Sequence, residues 1–241
     1  MPVAESLRLP ASVQQRLFAS GAQTAAALAA AVAAKLHDGL RQRRRASLIV
    51  PGGRTPIAFL EQLATQPLGW SYVSVSVSDE RLVPADHADS NEGLVRRHLL
   101  QRAAAAARFV PLVTPNAARG MEPAIAERAL DAMARPFDAV VVGMGEDGHT
   151  ASLFPGVPGT LEALDTGRSQ QLARVTPDGA PHARVTLTLR ALLDTRVVMI
   201  LIEGESKRAA IERAADLDPA LHPIAAFLQQ RTVPVQVYFN A

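Results

Sequence analysis

The sequence predicts an α/β fold, a mainly parallel sheet flanked by helices, carried by one domain over residues 1–241. Three observations point there. From Ser47 onward, short β-rich runs alternate with stretches of helical spacing, the pattern of a sheet wound by crossover helices. The 241 residues are 48% hydrophobic and 20% charged, which is enough apolar material for a substantial core and too much for disorder. Several apolar runs end in glycines and charged residues, as strands do when their carboxyl ends border a ligand crevice.

Before the alternation comes an alanine-rich stretch, Ala25 to Ala34. Ser20 with Gln23 forms a capping box at its start, and helical spacing continues through Leu28, Val32, Leu36 and Leu40 to the basic run Arg41 to Arg45. Cations suit a helix C-terminus. The alanine run is too short to cross a bilayer, and a signal peptide would place a more apolar run nearer Met1, so a cytoplasmic helix without membrane contact is expected. The basic run lacks interleaved aromatics, and an aromatic fraction of 4% leaves little for base stacking, so no nucleic-acid partner is expected.

The strand runs are Ser47 to Val50, Val73 to Ser78, Phe109 to Val113, Ala139 to Val142, Arg184 to Leu189, Val197 to Ile202 and Val235 to Phe239. Helical spacing of Ala, Leu, Ile and Phe marks Ile57 to Ala64, Glu92 to Leu100, Glu122 to Ala134, Ser206 to Ala215 and Ile224 to Gln229. Pro155 to Pro181 is rich in Gly and Pro without a strong period, which leaves both a lid and a surface loop open.

Composition narrows the chemistry further. The absence of cysteine removes thiolate nucleophiles, disulfides and cysteine metal sites together, and fits a reducing compartment. A net charge of +2 beside a pI near 9.5 reflects how few side chains titrate between histidine and tyrosine, so the pI does not argue for nucleic acid. The H-E-x-x-H, cysteine-rich and calcium-loop spacings are missing, as are G-x-S-x-G and a Walker lysine, so no metal and no cofactor is expected.

Four strand ends carry unusual residues. Pro51-Gly52-Gly53-Arg54-Thr55-Pro56 turns from a strand into a helix, with Pro56 suited to the first helical turn and two glycines that admit close backbone approach. Free amides there favour a phosphate, with Arg81 and Lys207 as counter-charges from neighbouring strand ends. Gly143-Met144-Gly145-Glu146-Asp147-Gly148 matches the dinucleotide fingerprint, but Pro155 and Pro158 stop the helix that a dinucleotide site needs, and nothing before Asp165 reads as a strand. His149 closes that turn beside Asp147, and a neutral imidazole there can take a proton from water. Ser90-Asn91 followed by Glu92 most simply begins a helix, with a ligand contact as the second reading.

With those residues in order, the chain resembles the 6-phosphogluconolactonase family across nearly its full length. The markers are Gly52 to Pro56, Asp79-Glu80-Arg81 with Ser90-Asn91, Gly143 through His149 to Pro155, Arg184-Val185-Thr186-Leu187-Thr188, and Gly204-Glu205-Ser206-Lys207. The resemblance implies a Rossmann-like fold, hydrolysis of 6-phospho-D-glucono-1,5-lactone to 6-phosphogluconate in the oxidative pentose phosphate pathway, and no metal or nucleotide requirement. It implies His149 as general base supported by Asp147, with Gly52, Gly53, Arg54, Thr55, Asp79, Arg81, Arg184 and Lys207 holding substrate. A monomer or small homo-oligomer is expected.

Pro51 departs from the family, which often has serine there, and removes a hydroxyl and an amide from the phosphate seat. The related glucosamine-6-phosphate deaminases are the nearest alternative. Their pattern after the histidine runs toward an Asn-Glu pair, whereas this chain has Ser152-Leu153-Phe154, and an aromatic follows their acid pair where Arg81 stands here. A sugar-phosphate-binding module without turnover is the alternative of another class. Such modules need a DNA-reading helix pair, and the region before Ser47 offers one long helix.

Overall fold

A computed structural model describes residues 6–113, 123–177 and 179–241. Seven parallel strands form the main sheet in the order β1-β10-β9-β6-β2-β3-β5. They are β1 (Val13–Phe18), β2 (Ala46–Val50), β3 (Val73–Val77), β5 (Arg108–Phe109), β6 (Ala139–Val142), β9 (Val198–Glu203) and β10 (Val235–Asn240). A smaller antiparallel sheet has the order β4-β8-β7, from β4 (Asp79–Arg81), β7 (Leu172–Val175) and β8 (Arg184–Leu187).

The central strands β2 and β6 are buried along their whole length, which is why they read as continuous apolar runs and not as alternation. The helix α1 (Gly21–Arg43) covers the sheet with Leu28, Val32 and Leu36, all fully buried. Each such side chain contributes about 1.5–3 kcal/mol relative to exposure. The Ser20 hydroxyl accepts the Gln23 amide at 3.4 Å, and the Gln23 side chain reaches back to accept the Ala19 amide at 3.1 Å. That is the expected capping box, shifted outward by one residue on the return bond.

The remaining helices are α2 (Ile57–Ala64), α3 (Asn91–His98), α4 (Pro123–Asp131), α5 (Thr160–Leu164), α6 (Leu189–Leu193), α7 (Glu205–Ala214) and α8 (Ile224–Gln229). The expected start of α4 at Glu122 lies outside the described residues. No helix among the described residues is long and apolar enough to cross a membrane.

Four expectations need correction. Arg184 to Leu189 does not join the parallel sheet: β8 pairs antiparallel with β4 and β7, and Leu189 opens α6. The run Phe109 to Val113 keeps only Phe109 in a strand, because β3 offers β5 two paired positions before the chain leaves the edge. Pro155 to Pro181 is not a plain loop, since it holds α5 and β7; elements of five and four residues between Pro and Gly carry too little periodicity to read. Finally, β1 had no sequence signal, because Val-Gln-Gln-Arg-Leu-Phe is polar at a sheet edge, where only one face and one side are covered.

Along the chain, β2, β3 and β5 advance toward one edge, and β6, β9 and β10 then advance toward the other. The winding reverses between neighbours β2 and β6. A crevice therefore opens beyond their carboxyl ends, where the two following loops must diverge.

Candidate active site

That crevice is a cleft of about 260 Å³. Its walls come from the turn after β2 (Pro51 to Pro56), the start of β4 (Ser78, Asp79, Arg81), Asn91 of α3, the turn after β6 (Gly143, Met144, Gly145, His149, Ala151), and Glu203 with Lys207 after β9. All four strand ends singled out in the sequence converge on it.

After β2 the two glycines serve different needs. A side chain on Gly52 would overlap the Asn91 carboxamide, so this position is small because α3 presses on it. Gly53 has φ of +89° with nothing near its missing side chain, so here the backbone conformation itself demands glycine and leaves space above it. Among the described residues, the amides of Gly53, Arg54 and Thr55 have no backbone carbonyl partner, and they stand at the start of α2. Arg54 and Thr55 are exposed. Free amides at a helix start are the kind of group that holds an anion.

The β6 turn is built around a pair. His149 Nδ1 lies 2.6 Å from Asp147 Oδ1, and the His149 backbone N–H donates to the same oxygen at 3.1 Å. A side chain on Gly145 would overlap both the imidazole and the carboxylate, so the second glycine of the false fingerprint is room for this pair. Burial raises the Asp147 carboxyl, but the His149 amide and imidazole outweigh it and hold the group below its ordinary range. An ionised Asp147 accepts Nδ1–H and leaves Nε2 bare, the form needed to take a proton. The Phe154 ring packs at 4.6 Å from the imidazole and covers one side.

The third wall is held by a buried carboxylate. Glu80 is 2% exposed and accepts the backbone amides of Arg81 (2.6 Å), Asn91 (2.8 Å) and Glu92 (2.6 Å) and the Ser90 hydroxyl (3.0 Å). It thus caps α3 from the neighbouring strand, supplementing Ser90, whose own hydroxyl accepts the Gly93 amide. Burial pushes the Glu80 carboxyl above its usual 4.5 against the pull of these donors. Next to it, Asp79 accepts from Ser78 at 2.9 Å and from Ser152 at 2.6 Å, which ties β4 to the histidine turn. Ser78 also joins the two sheets, donating its amide to Val50 and accepting the Leu187 amide.

Of the expected site residues, His149, Gly52, Gly53, Arg54, Thr55, Asp79, Arg81 and Lys207 line the cleft. Asp147 stands one hydrogen bond behind it. Arg184 is buried, lies opposite Arg81 in the β4–β8 ladder and donates to the His182 carbonyl at 3.0 Å; it is not a lining residue. Burial, and then the charge of Arg81, lower its guanidinium from the ordinary value. Lys207 sits in the first turn of α7 and has no carboxylate partner among the described residues. The sequence offers Asn91 as a helix start or a ligand contact. Asn91 does start α3, yet its side chain also donates to the Asp79 carbonyl at 2.8 Å under Gly52. Only the tertiary pairing of β4 with α3 could reveal that second role.

A parallel doubly wound sheet with open amides at a helix start, Arg81 and Lys207 on the walls and an acid–histidine pair at the switch point makes the chain an α/β protein with its cleft where such folds act on small molecules. The model of the glucosamine-6-phosphate isomerases/6-phosphogluconolactonase family matches residues 19–236, so the chain belongs to that family. It is 44% identical over 224 residues to a 6-phosphogluconolactonase of Pseudomonas aeruginosa, covering 92% of this chain and 94% of the relative. Against the 6-phosphogluconolactonase of Mesorhizobium japonicum the identity is 42% over 231 residues, with 95% and 96% covered. A crystal structure of a 6-phosphogluconolactonase from Shewanella baltica superposes with a TM-score of 0.91 at 35% identity, over 98% of this chain and 100% of that one. A monomeric glucosamine-6-phosphate deaminase shares the fold at a TM-score of 0.74 and 16% identity, over 95% and 97% of the two chains.

Proposed function

We propose that the chain hydrolyses 6-phospho-D-glucono-1,5-lactone to 6-phospho-D-gluconate, the lactone step of the oxidative pentose phosphate pathway. The observation that carries the reading is the 2.6 Å contact between His149 Nδ1 and Asp147, in a cleft whose opposite wall is an anion seat.

The phosphate sits on Gly53, Arg54 and Thr55, with Gly52 keeping the loop down on Asn91. Arg81 and Lys207 neutralise it from the sides. Pro51 contributes no amide, so the seat begins one residue later. The lactone ring then extends toward the β6 turn. His149 Nε2 takes a proton from water as the water oxygen bonds to C1, and Asp147 stabilises the imidazolium that forms. When the tetrahedral intermediate collapses, the C1–O5 bond breaks and the imidazolium returns its proton to the departing O5. The products are a carboxylic acid, which ionises, and a free hydroxyl.

Asp79 has both oxygens engaged by serine hydroxyls, so it acts by holding the β6 turn at its distance from the phosphate seat. Arg184 backs Arg81 from the next strand. Neither makes the first contact with substrate.

The test is 6-phosphogluconate formation from freshly generated lactone, with the spontaneous rate subtracted, and with glucosamine 6-phosphate in parallel. Lactone acceleration lost in His149→Ala supports the reading. Ammonia release from the amino sugar would make the chain a deaminase, and tight binding without turnover of either compound would make it a binding module.

A further inference from the structure

Beyond the cleft, two loops meet at a cluster that the lactone chemistry does not use. His87 and Asp89 lie between β4 and α3, and His182 lies just before β8. One ligand atom from each of the three falls within 4.8 Å of the others. His182 Nε2 is 3.1 Å from Asp89 Oδ2, and His87 Nδ1 is 3.9 Å from the same oxygen. The two imidazoles meet edge to face at 5.2 Å.

We propose that His87, Asp89 and His182 bind one divalent transition-metal ion, which clamps the β4–α3 loop to the segment before β8. Ligands at about 2.0–2.2 Å around a tetrahedral zinc ion stand roughly 3.3–3.5 Å apart, near the observed 3.1 and 3.9 Å, and His87 Nδ1 must release the Asp89 amide it now accepts at 3.1 Å to take the ion. Two imidazoles and one carboxylate suit zinc, copper or nickel better than calcium or magnesium, which prefer oxygen. Solvent reaches the site, with side-chain exposures of 42% for His87, 50% for Asp89 and 23% for His182, so water can fill the remaining positions.

The placement gives the clamp a consequence. The Asp89 carbonyl accepts from the Arg81 guanidinium, and the His182 carbonyl accepts from Arg184. These two arginines face each other in register across β4 and β8. Two metal ligands therefore hold, through their backbones, a pair of like charges beside the cleft. An ion at the cluster adds a bond between those two backbones and restrains the Arg81 wall, independently of any role as a chemical participant.

Tag-free full-length chain is dialysed against zinc(II) and its metal content measured, with cobalt(II) absorption as a report of imidazole ligation. Wild type is expected to bind one ion per chain that the His87→Gln/His182→Gln double variant binds at least about tenfold more weakly. Asp89→Asn, which keeps the carbonyl on Arg81, is expected to show the same loss. The substituted side chains are 23–50% exposed and outside the core, so circular dichroism without metal should match wild type. Equal binding in wild type and in both variants would overturn the site. Zinc that binds there without slowing amide exchange over residues 82–90 would overturn the clamp. Metal content is read without substrate, so this site can fail while lactone hydrolysis stands, and the reverse.

Discussion

The turn after β6 and the strand after β3 both place acids at the border of the cleft, yet they are built in opposite ways. In the β6 turn, Asp147 is half-exposed and spends its oxygen on one imidazole, which keeps a second nitrogen free toward the cleft. In β4, Glu80 is buried under three backbone amides and a hydroxyl, and Asp79 is taken by two serines. Glu80, with all four acceptor positions filled by groups of the scaffold, can only hold architecture, and Asp79 is tied to two serines, whereas Asp147 spends both its bonds on His149 and can tune that partner. The difference between chemistry and scaffold lies in which atoms remain unsatisfied, and not in residue type.

The sharpest way to break this comparison is His149→Ala. Lactone kcat is expected to fall by about 10²–10⁴ with melting nearly unchanged, as loss of a general base alone requires. Next in size is Glu80→Ala, the scaffold acid. It leaves three amides and a hydroxyl without their acceptor, so a stability loss of about 3–5 kcal/mol in urea is expected. A loss of lactone activity with full stability would instead put Glu80 in the chemistry. Removing Arg81 or Lys207 is expected to raise KM for the phosphorylated lactone by roughly 10-fold each with little change in kcat, the signature of lost uniform binding.

A smaller effect separates the two acids by pH. Asp147 is held below its ordinary value, so its contribution to stability is present above the unfolded value and lost as pH falls through the lowered one; Asp147→Asn should remove that loss, read as urea midpoints. Glu80 is the opposite case. Burial raises its folded-state value above 4.5, so the folded chain binds more protons than the unfolded chain just above that pH. Its contribution to stability is therefore fullest below 4.5 and declines as pH rises through the raised value. Glu80→Gln should flatten this decline, measured as urea midpoints across that window; an unchanged slope would mean that the amide donors cancel the burial.

Parts of the cleft were visible in the chain before folding. Gly52 to Pro56 and Gly143 to His149 carry their geometry locally, because a strand, a glycine turn and the next side chain span only a few residues. The failed dinucleotide reading was legible for the same reason, since Pro155 and Pro158 stop a helix wherever they stand. The element boundaries of α1, β2, β6 and β10 were equally readable, as a long capped helix and continuous apolar runs leave few alternatives. By contrast, the polar edge strand β1, the short β7 and the antiparallel placement of β8 follow from partners far along the chain.

By itself, then, the sequence determined an α/β sheet and the four strand ends that meet at the cleft, because each depends on spacing within a few residues, while the pairing of His149 with Asp147 came from the structure. Only the tertiary structure decided that Glu80 caps α3, that Ser152 and Ser78 share Asp79, that Asn91 makes Gly52 obligatory and that Arg184 stands behind Arg81. Apart from the Ser78–Asp79 bond between neighbours, these contacts join segments at least 10 residues apart. Their hydrogen bonds form only after the sheet has brought the segments together, so no local pattern of residue types encodes them.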